Sequence, residues 1–133
     1  EAYAGAMVET AQALAAALAA RGAPVFSTAR GVTRSHQFAL EAARYGGGQT
    51  ASKRLRAANV LACGIGLPVA AVEGDLNGLR LGTPEIVRWG MTAADMPELA
   101  DLIVRALETN DAASVAKDVT AFRRRFRTLH FVR

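Results

Sequence analysis

Apolar residues recur three and four positions apart at the start of the chain, where Met7, Ala11, Leu14 and Leu18 form one stripe through a run of helix formers. The spacing predicts a core-packing helix that ends at Arg21, with Gly22 as its stop. Its polar face carries little positive charge, which argues against a helix lying on a membrane surface. Two more stripes predict two helices at the C-terminal end: Leu99, Leu102, Ile103 and Ala106, then Val115, Val119, Phe122 and Phe126. Thr92 and Asp95 both suit the cap of the first, and Pro97 fits its first turn behind Asp95; Asn110 or Asp111 caps the second.

Between these helices the period changes. Ala23–Ser27 reads as a short strand with Pro24 at its start or on an edge. Ser35–Leu40 has the two-residue alternation of a half-buried strand. Asn59–Cys63, closed by the Gly64-Ile65-Gly66 loop, and Gly78–Gly82 are the third and fourth strands, with Arg80 pointing away from Leu79 and Leu81. Gln49–Ala58 predicts a helix after the flexible Tyr45–Gly48 connection, with Thr50 as cap. Gly82-Thr83-Pro84 imposes a turn. The order is helix, two strands, helix, two strands, helix, helix. So few and so closely paired strands do not suit a doubly wound parallel sheet. The expected fold is α+β, a small and mostly antiparallel sheet with helices packed on one face. No repeat and no linker divides residues 1–133, so the chain reads as one domain.

Composition agrees with a packed core: of 133 residues, 51% are hydrophobic and 21% charged. The formal charge is +4, and its basic side is nearly all arginine, since Lys53 and Lys117 are the sole lysines. An excess of this size suits anionic ligands without arguing for nucleic acid. A single cysteine, Cys63, excludes a disulfide framework within the chain and fits a reducing, cytoplasmic compartment. No apolar run approaches a membrane span, and Ala11–Ala20 lacks the flank and cleavage pattern of a signal peptide. The chain opens at Glu1 inside its first helix, so the expectation is a piece of a longer polypeptide.

The sequence has no HExxH, no CxxC pair and no GxSxG elbow, and its two histidines, His36 and His130, lie far apart. No metal site is expected. A Cys63–His36 nucleophilic pair is the one covalent arrangement available, weighed against an inert cysteine in an apolar strand. Gly46-Gly47-Gly48 precedes a helix but lacks phosphate-loop spacing, and Gly64-Ile65-Gly66 leads into Leu67-Pro68 where a dinucleotide fingerprint needs a helix. Arg123–Arg127, with Phe126 interleaved, reads as the exposed face of the last helix; its rival reading is an anion-binding or nucleic-acid patch. Arg80 stands apart. It is a lone arginine between leucines on a short strand, bracketed by Gly78 and Gly82, and a guanidinium set on rigid backbone suits two-point capture of a carboxylate. An inter-strand or domain-contact salt bridge is the alternative.

Asn77-Gly78-Leu79-Arg80-Leu81-Gly82-Thr83-Pro84, continuing to Arg88-Trp89-Gly90-Met91, resembles the S-G-[IL]-R-[ILV]-G-T-P-…-R-G-[FM] signature in the C-terminal part of serine hydroxymethyltransferases. The resemblance runs the length of the chain: Tyr3–Gly22 is similar to the helix ending "L…RG", Thr33–Leu40 to the "T…NHL…LVD" strand, and Leu55–Asn59 to "L…AN". It implies the small C-terminal domain of a fold-type-I pyridoxal 5'-phosphate enzyme that makes or breaks the Cα–Cβ bond of a serine- or glycine-type amino acid. By position Arg80 matches the arginine that binds the substrate α-carboxylate. Neither lysine sits in a motif like the cofactor-lysine site, so the resemblance places the cofactor, and every catalytic residue, in an upstream large domain. The complete enzyme is expected to be a homo-oligomer without nucleic-acid or membrane partners, and this chain alone to be inactive.

Three departures bear on the acceptor. Ala62-Cys63-Gly64-Ile65 stands where the family has V-N-K-N, Trp89 stands where it has Arg before the glycine, and Thr33-Arg34-Ser35-His36 varies on T-x-N-H while keeping His36. The first two weigh against tetrahydrofolate as the one-carbon acceptor, because polar contacts have become apolar or shifted. The readings are therefore a hydroxymethyltransferase, an aldolase or transaldolase relative that uses an aldehyde in place of folate, and, from another class, a stand-alone anion-binding module.

Overall fold

The computed structural model describes residues 1–132. Its α+β fold contains helices α1 (Ala2–Ala20), α2 (Gly48–Ala57), α3 (Pro84–Arg88), α4 (Met96–Glu108) and α5 (Ala112–Arg123), and strands β1 (Gln37–Glu41), β2 (Cys63–Ile65) and β3 (Gly78–Gly82). The strands form one antiparallel sheet in the order β1-β3-β2, with Leu40 opposite Leu79 and Cys63 opposite Arg80. Leu79 and Leu81 of β3 are buried while Arg80 and Gly82 are exposed, so one face of the central strand meets the helical layer and the other is open. The α1 stripe works as its spacing predicts: Ala11, Leu14 and Leu18 are buried, largely against α4, which contributes Met96, Leu99, Ile103 and Leu107. Each such leucine, isoleucine or methionine stabilises the fold by about 1.5–3 kcal/mol relative to exposure.

Several local expectations are corrected. Ala23–Ser27 is not a strand but a single antiparallel bridge between Val25 and Leu40, because Pro24 has no N–H with which to extend the ladder. β1 starts at Gln37, not Ser35: the Thr33 hydroxyl donates to the Gln37 carbonyl at 2.6 Å and accepts from the Ser35 N–H at 3.0 Å, folding the lead-in locally. Asn59 is the end of α2 and no part of a strand. It takes a left-handed φ of 64° while the Val60 N–H reaches back to the Leu55 carbonyl at 2.8 Å, the closing bond of a helix C-terminal motif. That reversal delays β2 to Cys63–Ile65, which keeps Cys63 of the expected strand and takes in Gly64 and Ile65, read as a loop.

Pro84, read as part of a turn, starts the short helix α3, where its missing N–H costs nothing. Thr92 and Asp95 do not compete: they cap each other reciprocally around a tight turn, Ala93–Asp95, that leads into α4. Asp111 caps α5 by accepting the Ser114 N–H at 3.2 Å. α2 begins at Gly48, so Thr50 is not its cap. The Asp75 carboxylate, from the loop before β3, accepts from the Gln49 N–H at 2.8 Å, the Thr50 N–H at 3.0 Å and the Thr50 hydroxyl at 2.8 Å. These bonds, led by the one from Gln49, hold its pKa down to about 2.

Candidate functional site

Arg80 occupies the middle of the central strand, with β1 on one side and β2 on the other. β3 is paired along both edges, so the backbone around Arg80 is fixed and the guanidinium projects from a rigid base onto the open face. Among the described residues, no carboxylate lies within 4 Å of it. The inter-strand salt bridge weighed as an alternative is therefore absent among them. Around Arg80 the surface dips into an open depression of about 430 Å3, lined by His36, Leu61, Cys63, Gly82 and Glu85 among others. Leu61 is 85% exposed at its edge.

The two glycines that bracket Arg80 differ in purpose. Gly82 faces the depression, and a Cβ there would meet nothing closer than 3.6 Å. Gly78 is buried where α2 reaches the sheet: a Cβ on Gly48 would fall inside the van der Waals shell of the Gly78 carbonyl oxygen, and one on Gly78 would strike Leu67 at 2.6 Å. Gly48 is therefore a packing contact between helix and sheet backbones, and Gly47 beside it leaves room for the Asp75 side chain, so the run is not a loose connection. The helix N-terminus behind it, which attracts anions in general, is already filled by Asp75.

The structure brings Cys63 and His36 into the same depression as Arg80, although the sequence set them far apart. Cys63 is half-buried on the edge strand β2, not sunk in an apolar core. Among the described residues no hydrogen bond joins it to His36. His36 is exposed, and its backbone carbonyl accepts the Thr83 N–H at 3.0 Å.

Thr83 was missed as more than a turn residue. It is fully buried, and its hydroxyl donates to the Met7 carbonyl of α1 at 2.7 Å. One turn earlier on the same helix, the Tyr3 hydroxyl donates to the Pro84 carbonyl at 2.7 Å. α1 thus pins the chain immediately after β3 at two points. Glu85 is the acidic residue among those lining the depression, and the Trp89 indole N–H donates to its Oε1 at 3.1 Å.

The arginines of 123–127 are largely engaged inside the chain. Arg123 lies over the Trp89 ring at 4.6 Å and donates to the Phe126 carbonyl at 2.7 Å. Arg125 pairs with Glu98 at 2.7 Å and stacks on Phe122 at 4.9 Å, and Arg127 donates to the Arg124 carbonyl at 2.9 Å. Only Arg123 of the run lies within α5 and the other residues follow its end, so the run is not a uniform basic helix face. Among the described residues, no cluster of potential ligands could hold a metal ion and no helix is long and apolar enough to cross a membrane.

No protein-family model matches the chain. It is 64% identical over 131 residues to an alpha-methylserine aldolase of Variovorax paradoxus, an alignment covering 98% of this chain and 30% of that protein. A protein of the same name from a Ralstonia species is 54% identical over 132 residues, again 98% of this chain and 30% of the relative. A serine hydroxymethyltransferase of Pyrobaculum arsenaticum is 40% identical over 124 residues, 93% of this chain and 29% of the relative. The chain therefore spans about 30% of the length of the curated relatives it matches. Identity this high over 93–98% of the chain leaves one conclusion: over the segment it spans, the chain belongs to the serine hydroxymethyltransferase-like family.

Proposed function

We propose that the chain is the C-terminal small domain of a pyridoxal phosphate enzyme that cleaves the Cα–Cβ bond of a β-hydroxy amino acid, and that Arg80 holds the substrate carboxylate. The observation that carries this reading is the Arg80 guanidinium itself: rigidly based, open to solvent and without a carboxylate partner among the described residues. Its planar fork presents parallel N–H donors to both oxygens of a carboxylate, which fixes orientation as well as affinity. A carboxylate fixed at two points restricts rotation of the adjoining Cα, and with it the direction of the bond to be broken.

In this reading neither lysine of the chain holds the cofactor. Lys53 and Lys117 are both exposed on helices and neither lines the depression, while the α2 N-terminus is filled by Asp75. Pyridoxal phosphate, an electron sink in enzymes of this kind, belongs in this reading to the part of the protein outside the chain, and the complete enzyme is a homo-oligomer.

Of the two acceptors, an aldolase reaction without folate is favoured. The relatives named alpha-methylserine aldolase are 54–64% identical, the hydroxymethyltransferase 40%. The wall opposite Arg80 is also built from Leu61, Ala62 and Cys63, which offer little to a polar pteridine. In this reading the substrate is a β-hydroxy amino acid carrying a methyl group on Cα, and cleavage releases an aldehyde. The test is to incubate the complete protein with α-methylserine, with and without tetrahydrofolate, and to follow aldehyde release. Release that does not depend on folate is expected; turnover of serine that requires folate would move the assignment to hydroxymethyl transfer.

A further inference from the structure

We infer that Trp89 is a positioning residue that holds Glu85 off Arg80 and so keeps the guanidinium free for its ligand. The inference rests on the reading of Arg80 as a carboxylate clamp. Arg80 faces a depression shared with an acidic side chain, and a lone carboxylate beside an arginine would normally pair with it and compete with any incoming carboxylate. In the structure it does not: no ion pair joins Glu85 to Arg80, and Glu85 instead accepts the indole N–H at 3.1 Å from Trp89, four residues on and immediately after the end of α3.

The indole is itself held. Arg123 lies 4.6 Å from the ring centroid, with a second bond from its guanidinium to the Phe126 carbonyl at 2.7 Å, so cation and ring fix each other's planes. Trp89 is half-buried and the carboxylate it holds is exposed, so the arrangement adds little to the core. Its consequence falls on the depression. An indole can only donate, which makes it a suitable partner for a carboxylate, and it brings no charge of its own that would pull a substrate carboxylate away from Arg80. The arrangement also gives Arg123 a task unrelated to binding polymers.

The prediction concerns substrate affinity in the complete enzyme. Trp89→Phe keeps the ring and its stacking but removes the donor. Glu85 is then free to approach Arg80, and KM for the amino-acid substrate should rise by roughly three- to ten-fold with kcat little changed, as expected for lost ground-state binding. The double variant Trp89→Phe/Glu85→Gln, which removes the competing charge, should restore KM. Glu85→Asp reaches the same question without touching the tryptophan: the shorter side chain loses the indole while keeping its charge, so KM should rise, and Glu85→Asn should abolish the rise. Dissociation constants from calorimetry with a non-reacting carboxylate analogue should follow the same order. If both carboxylate-neutralising variants fail to rescue, the indole is merely structural and the inference is overturned. If Arg80→Ala leaves substrate affinity unchanged, it is the clamp reading that fails.

Discussion

Arg80 and Cys63 are direct partners across the β2–β3 ladder, so the one thiol of the chain stands beside the guanidinium on the open face of the sheet. That position makes Cys63 part of the wall that a ligand on Arg80 would meet. Among the described residues no hydrogen bond joins the thiol to His36, the arrangement that would activate it as a nucleophile. Cys63→Ala in the complete enzyme should therefore keep kcat close to that of the parent. Loss of an essential nucleophile costs on the order of 10^6-fold, and a fall of that size in single-turnover measurements would restore the covalent reading.

Asp75 links acid stability to the seating of α2. Its pKa lies near 2 in the folded chain against an ordinary value of 3.8, so the unfolded state binds the proton more readily. The stabilisation is fully present above pH 3.8 and is lost as the pH falls through that value towards 2. Asp75→Asn should lower the Tm at neutral pH and flatten this part of the pH dependence, while Tm curves of the two proteins converge near pH 2. Parallel curves throughout would show that the carboxylate does not cap the helix.

Gly48 and Gly82 should respond oppositely to alanine. At Gly48 the new methyl would collide with the Gly78 backbone, which cannot swing aside, so destabilisation of about 3 kcal/mol or more is expected in urea unfolding. At Gly82 there is ordinary room, and stability should stay within about 1 kcal/mol while the methyl projects into the depression beside Arg80. Equal tolerance at both positions would contradict the packing of α2 on the sheet.

The α1, α4 and α5 stripes and the Leu79-Arg80-Leu81 alternation were legible because they depend on local period alone. β2 was misplaced although Asn59 carried a signal, since asparagine tolerates the left-handed conformation that ends α2. Pro84 likewise fits the first position of a helix as well as a turn. The cap of α2 was not legible: Asp75 lies 26 residues from Gln49, and nothing local announces the contact. In the site, Arg80 could be singled out from its strand and its glycines. The meeting of His36, Cys63 and Glu85 around it depends on the order in which the strands pair, which no spacing reveals.

Tyr45 offers a test of the core. Its side chain is buried and its hydroxyl has no hydrogen-bond partner among the described residues; burial raises its pKa, with the charge of Arg44 acting the other way. Removing an unsatisfied hydroxyl relieves a desolvation cost, so Tyr45→Phe should leave stability unchanged or raise it by about 1 kcal/mol. A clear loss in urea unfolding would reveal a bond that the described contacts do not include.

The most direct measurement compares kcat/KM of the complete enzyme and its Arg80→Ala and Arg80→Lys variants on a carboxylate substrate and on its decarboxylated amine. A charge-assisted contact contributes about 1.5–3 kcal/mol, so Arg80→Ala should lose at least ten- to a hundred-fold, roughly, on the amino acid, with a further loss from misalignment. Arg80→Lys should recover part of it, because a point charge lacks the second donor of the fork. On the amine all three proteins should perform alike, since the arginine then has nothing to hold. Near-normal kcat/KM for Arg80→Ala on the amino acid would contradict the account and return Arg80 to a structural contact.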